Sequence, residues 1–172
     1  MPSSSLAITV LGHDRPGIIA EVTGALAELG GNLEDSSMTL LRGHFAWTLI
    51  VSGPSVDDVR DRLASLADDD LVVTVLPAPG ESGILAAASR YVLSVHGGDR
   101  PGIVSGITGV VAAVGGNIVD LTTRLSGDLY IAVAEVVLPE GVDIPHLERD
   151  LSAAADALGV GVTLRPEDAD LL

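Results

Sequence analysis

The chain has no cysteine, no lysine and few aromatics: one tryptophan, one phenylalanine and two tyrosines in 172 residues. Without cysteine there is no disulfide, zinc–cysteine site, thiol catalysis or cysteine-ligated iron–sulfur cluster. Too few aromatics remain to build platforms on which bases stack. Basic residues are scarce too: nine, all arginine, against 24 acidic ones, for a formal net charge of −15. That excess repels a phosphate backbone, which needs clustered Lys and Arg, and equally an anionic membrane surface. No direct nucleic-acid partner and no membrane partner are therefore expected. No apolar run approaches the ~18 residues of a membrane span. The start, Met1-Pro2-Ser3-Ser4-Ser5, has neither the charged nor the apolar region of a secretory signal, so a cytoplasmic protein is expected. What the chain does have is apolar residues, 47% of the total, far more than a disordered chain carries.

The sequence repeats itself. Residues 12–18 read Gly-His-Asp-Arg-Pro-Gly-Ile, and residues 97–103 read Gly-Gly-Asp-Arg-Pro-Gly-Ile. At the same offset of 85, Thr23-Gly24 matches Thr108-Gly109, Gly30-Gly31-Asn32 matches Gly115-Gly116-Asn117, and Asp35 matches Asp120. Between the copies lies Pro77-Ala78-Pro79-Gly80-Glu81-Ser82-Gly83, a linker composition. The expected organisation is a first domain over 1–77, a linker over 78–90 and a second domain over 91–172. Each copy is close to the lower size limit for an independent core, so the copies are expected to pack on one another.

Within a copy the periodicities are plain. Leu6, Ile8 and Val10 alternate with Ala7 and Thr9, as Tyr91, Leu93 and Val95 alternate later, and both runs read as strands. Ile18, Val22, Leu26 and Leu29 mark one helix face. Asp14 suits its N-cap, Pro16 its first turn, and Gly30-Gly31 its left-handed stop. Residues 33–41 and 45–52 read as strands around Arg42-Gly43-His44, with Gly127-Asp128 as the matching turn. Ser55 and Asp58 suggest a capping box before a second helix carrying Val56, Val59, Leu63 and Leu66. Its counterpart carries Leu147, Leu151, Ala154 and Leu158 and stops at Gly159, and short runs at 71–76 and 160–164 close each copy as a strand. The expected fold is α+β: two ferredoxin-like βαββαβ domains, each an antiparallel four-stranded sheet in the order 4-1-3-2 with both helices on one face.

A βαββαβ unit with Asp-Arg-Pro-Gly-Ile at its first strand–helix turn and Gly-Gly-Asn after the helix resembles the ACT domain. The resemblance spans about 6–77 and about 91–165. The tandem pair, with no catalytic or DNA-binding domain, is similar to the glycine cleavage system transcriptional repressor family. That resemblance implies a non-enzymatic sensor of a free amino acid, with glycine or serine as candidates, acting through a regulatory protein partner. An indirect transcriptional role, homodimerisation and the absence of a cofactor are part of the same expectation. In ACT pairs the second-strand edge often meets the neighbouring domain, with ligands at the seam.

An amino acid needs donors for its carboxylate and acceptors for its ammonium. A helix N-terminus supplies free N–H groups and a favourable dipole, and Gly17 and Gly102 leave that backbone open to approach. The candidate ligand-binding residues are His13, Asp14, Gly17, Ile18 and Asn32 in the first copy. Gly98, Asp99, Gly102, Ile103 and Asn117 are their counterparts. Asp14 and Asp99 are equally candidates for capping alone, and Asn32 and Asn117 for stopping a helix. His13 faces Gly98 in the alignment of the copies, so the two sites are expected to differ. Arg15 and Arg100 are expected in solvent or paired with Asp35 or Asp120, and Trp47 and Phe45 in the core. Two other readings stand beside the sensor. One is a ligand-independent interaction subunit. The other is a small acyl-phosphate hydrolase using Arg15 and Asn32, although Pro16 removes a donor from the cradle such an enzyme needs. No catalytic residue is expected, and His13, His44, His96 and His146 lack metal-ligand spacing.

Overall fold

The computed structural model describes residues 5–78 and 88–167. The chain divides into two units, Met1–Ser82 and Gly83–Leu172. In the first, strand β1 (Ser5–His13) leads into helix α1 (Ile18–Glu28), then strands β2 (Asn32–Leu41) and β3 (His44–Ser52), helix α2 (Val56–Ala64) and strand β4 (Leu71–Ala78). The second repeats this with β5 (Ser89–Gly98), α3 (Ile103–Ala113), β6 (Asn117–Ser126), β7 (Leu129–Leu138), α4 (Ile144–Leu158) and β8 (Val160–Pro166). Both sheets are antiparallel, ordered β2-β3-β1-β4 and β6-β7-β5-β8, as the alternation and right-handed crossovers require. Ala78, Ser89 and Arg90, expected as linker, are strand residues: Ala78 pairs with Ser5, Ser89 with Leu138 and Arg90 with Val137. Of the rest of the expected linker, Ala88 lies outside helix and strand, and 79–87 lie outside the described residues.

One face of each sheet meets the helices. In the first unit Leu6, Ile8 and Val10 of β1 and Phe45, Trp47, Leu49 and Val51 of β3 are buried with Val22 and Leu26 of α1 and Val59 and Leu63 of α2. Each such side chain contributes about 1.5–3 kcal/mol by leaving water. Phe45 and Trp47 meet edge to face, with centroids 6.2 Å apart. The second core uses smaller residues on its central strand: Ala132 and Ala134 stand where register places Trp47 and Leu49. A longer second helix, 15 residues against 9, adds Leu147, Leu151 and Ala155 to that core.

The helix ends follow local chemistry. Ser55 accepts a hydrogen bond from the Asp58 amide at 3.2 Å and donates its hydroxyl to the Asp58 carboxylate at 2.7 Å. Asp143 caps α4 through the His146 amide at 3.0 Å. Gly30, at φ 72°, stops α1, and Gly159, at φ 67°, stops α4. Two expectations at the start of α1 are corrected. Its N-cap is Gly17, at φ 95°, with no side-chain cap, so Asp14 and Pro16 both lie before the helix. Asp99 likewise gives way to Gly102, at φ 93°. The left-handed glycine, three residues after the aspartate, takes the N-cap position in each copy, so the aspartate stands outside it. Instead the Asp14 amide donates to the Gly43 carbonyl at 3.0 Å, and the Asp99 amide to the Asp128 carbonyl at 3.2 Å. Each turn is thereby tied to the neighbouring hairpin. The edge strands β2 and β6 both shift register, between Leu33 and Asp35 and between Ile118 and Asp120. Such bulges twist an edge away from regular pairing.

Candidate ligand site at the first turn of each domain

With glycine at the N-cap, the first amides of α1 and α3 have no side-chain partner, whereas α2 and α4 are capped by Ser55 and Asp143. The carbonyl of Gly17 accepts from the Glu21 amide and that of Gly102 from the Gly106 amide, both at 2.9 Å. The amides of residues 18–20 and 103–105 precede those bonds. They form two sets of donors at the positive end of a helix, where an anion is favoured.

The turns hold His13, Asp14, Gly17 and Ile18 in the first unit and Gly98, Asp99, Gly102 and Ile103 in the second. Asp14, Gly17, Asp99 and Gly102 are exposed, while Ile18 and Ile103 are buried and anchor the helix starts. His13 ends β1 and lies 5.0 Å, ring to ring, from His44, which begins β3. Asn32 and Asn117 are not part of this grouping. Asn32 pairs with Ser52 at the far end of β3, eight residues from His44. At ~3.3 Å per residue that is about 26 Å along the strand. Asn117, opposite Val137, is as far from the second turn. The same geometry separates Arg15 from Asn32, the pair a hydrolase would need together.

Arg15 does not meet Asp35. It makes a two-pronged pair with Glu21, at 2.9 and 2.7 Å. Glu21 lies one turn into α1, beside Arg15, while Asp35 pairs with Ile50 far along β3. The hydrogen bond from Arg15 lowers the Glu21 carboxyl below its ordinary range and raises the guanidinium of Arg15. Position 106 of the second domain is glycine where the first has Glu21. Arg100 accordingly has no acidic partner within 4.0 Å among the described residues. Its guanidinium lies against Gly159, so close that a Cβ built there would meet Nη1 at 2.8 Å. That is the carbonyl end of α4, where a cation is favoured.

Arg100, Asp99 and Gly102 line an open depression, together with Ser105, Thr108 and Tyr130. None of these three is among the candidate site residues of the sequence. Thr108 is common to both copies as the match of Thr23, but two of the three are marked by a difference between the copies: at the 85-residue offset Ser105 replaces Ala20 and Tyr130 replaces Phe45. Each change adds a hydroxyl at the rim. The second turn therefore combines free helix amides, an unpaired guanidinium, an exposed carboxylate and hydroxyls. In the first turn the guanidinium is already neutralised.

Comparison with known proteins agrees with this architecture. The family model described as ACT domain matches residues 4–69 and again 89–165. The glycine cleavage system transcriptional repressor of Escherichia coli is 30% identical over 163 residues, covering 89% of this chain and 85% of that one. A UPF0237 protein of Methanopyrus kandleri is 41% identical over 81 residues, 46% of this chain and 90% of its own. Among solved structures, an unknown protein from Galdieria sulphuraria superposes with a TM-score of 0.83 at 28% identity, over 96% of this chain and 99% of that one. No helix among the described residues is long and apolar enough to cross a membrane.

Proposed function

This chain belongs to the ACT-domain family, and from that premise we propose that it is a non-enzymatic regulatory protein that binds a free amino acid at the first turn of its second domain. The amides at the start of α3 and the Arg100 guanidinium hold the carboxylate; Asp99 accepts from the ammonium. The observation that carries this reading is Gly106 in place of Glu21, which leaves Arg100 available while Arg15 is engaged. The first domain then serves as partner and scaffold. With a net charge of −15, the protein acts through another protein in the cytoplasm rather than on nucleic acid, as a homodimer. Its relation to a glycine cleavage repressor favours a transcriptional outcome reached indirectly, with glycine or serine as candidate ligands.

Calorimetry against the twenty amino acids tests the site, with Arg100→Ala beside Arg15→Ala. A charge-assisted hydrogen bond is worth about 1.5–3 kcal/mol, so Arg100→Ala should weaken binding by roughly 10- to 150-fold, and Arg15→Ala should leave it intact. Equal losses in the two variants would remove the distinction between the domains. No heat from any amino acid at millimolar concentration would leave the ligand-independent interaction subunit as the reading.

A further inference from the structure

The three strands β1, β3 and β4 give the first sheet an open face without charge at its centre. Leu6, Ile8 and Val10 point to the helices, so Ala7, Thr9 and Leu11 point away from them. The chain as a whole is 19% charged, yet β1, β3 and β4 contain no Asp, Glu or Arg. Their counterparts each hold one: Arg90, Glu135 and Arg165. Register puts Glu135 and Arg165 on either side of Val92, on the open face of the second sheet. The solvated face of an antiparallel sheet is ordinarily polar. The first sheet instead shows Leu11, Val72 and Leu76, exposed by 49%, 58% and 54%. A contiguous apolar patch of this kind marks an interaction surface. The acidic residues Glu34 and Asp35 stay at its border, at the bulge of the edge strand β2.

The face is also ordered. The registers align Ser37, Thr48, Thr9 and Thr74 in one row across all four strands. Ala46, Leu11 and Val72 form the next row toward the first turn, and Ile50, Ala7 and Leu76 the next row away from it. A hydroxyl row between two apolar rows is complementary to itself. A two-fold axis between stacked sheets, passing through that row, sets hydroxyls against hydroxyls, each a donor and an acceptor, and apolar rows against apolar rows. The second sheet of another copy is a poor match, since Glu135 and Arg165 would lose water against a surface with no partner for them. Two chains of charge −15 repel one another, and on this face neither brings a carboxylate to the centre. The area suffices. Four strands about 4.8 Å apart and about nine residues long, at ~3.3 Å each, cover roughly 550 Å² per copy, or about 1,100 Å² for two. A specific interface needs about 1,000 Å².

Resting on the homodimer reading above, we infer that the dimer forms by stacking the open face of the first sheet on the same face of a second copy, with Thr9 and Thr48 beside the two-fold axis.

Sedimentation velocity on the full chain, at micromolar concentration and physiological salt, tests this. The unmodified protein is expected to be a dimer. Thr9→Arg sets two like charges against each other at the axis and should weaken the dimer at least about 100-fold, while Ser94→Arg, at the matching position of β5, should leave it within about threefold. Thr48→Arg serves if the Thr9 variant loses its native circular dichroism. A dimer that survives a folded Thr9→Arg or Thr48→Arg would overturn the inference and leave the homodimer standing on another surface. Equal weakening by Ser94→Arg would overturn it too. A monomeric unmodified chain would overturn the homodimer and the inference together, leaving the face to a different partner.

Discussion

Replacing Gly17 by alanine changes only the backbone. At φ 95° a Cβ is strained, yet its nearest contact would be the Glu21 carboxylate at 3.4 Å, an ordinary distance. The cost is therefore conformational, about 1–2 kcal/mol for an L-residue held in the left-handed region. Gly24, seven positions on in α1, gives the opposite sign. It is exposed, helical, and has no atom within 4 Å of a built Cβ. Alanine there should stabilise by roughly 0.5–1 kcal/mol, because glycine loses more freedom on entering a helix. The two variants should thus differ by about 1.5–3 kcal/mol, or roughly 1–2 M in urea midpoint at a typical slope. The assay is urea unfolding followed by circular dichroism, with the slope checked for constancy. The second domain supplies an internal replicate in Gly102, at φ 93°, and Gly109. A Gly17→Ala protein at least as stable as the unmodified one would refute the left-handed N-cap as the origin of the turn.

Three further outcomes follow from particular contacts. Trp47→Ala empties a buried site in the first core and should cost about 3–5 kcal/mol in the same unfolding assay; a loss under about 1 kcal/mol would mean that the core collapses to fill it. Ser55→Ala removes the cap of α2 and should cost about 1 kcal/mol, with Ser55→Asp recovering most of it. The Glu21 carboxyl sits below its ordinary 4.5 because of its hydrogen bond with Arg15. Its contribution to stability is then present above pH 4.5 and lost as pH falls through the lower folded-state value. Carbon-detected NMR titration should show this low midpoint, and Arg15→Ala should bring it back up.

The fold was legible because its signals are local and repeated. Alternation in Leu6-Ala7-Ile8-Thr9-Val10, the spacing from Ile18 to Leu29 and the pair Ser55 and Asp58 each specify one element, and the 85-residue offset states every element twice. The turn at Asp14–Gly17 was legible as a position but not as a geometry. Asp14 has the chemistry of an N-cap, yet the φ of Gly17 decides where the helix begins, and no pattern of apolar residues encodes it. Asn32 and Asn117 were misleading for a related reason. They follow α1 and α3 closely in sequence, but an antiparallel strand starts at the end of the sheet where the helix stops, away from the turn. The partner of Arg15 depended on the same layout, which favours Glu21 over Asp35. What the sequence did hold, in the mismatches between its copies, is the asymmetry of the site. Glu21 against Gly106, Phe45 against Tyr130, Trp47 against Ala132 and Leu49 against Ala134 are visible at the repeat offset. Only the registers of β3 and β7 turn those four differences into one opened rim and one core built of smaller residues.

The central claim is that one of two similar turns binds the ligand, and backbone NMR of the nitrogen-labelled full chain tests it most directly. On addition of the amino acids at millimolar concentration, the amides of Gly102, Ile103 and Val104 should shift in a saturable way while those of Gly17, Ile18 and Ile19 stay in place. Matching shifts at both turns, shifts confined to Gly17 and its neighbours, or an unchanged spectrum would contradict the account.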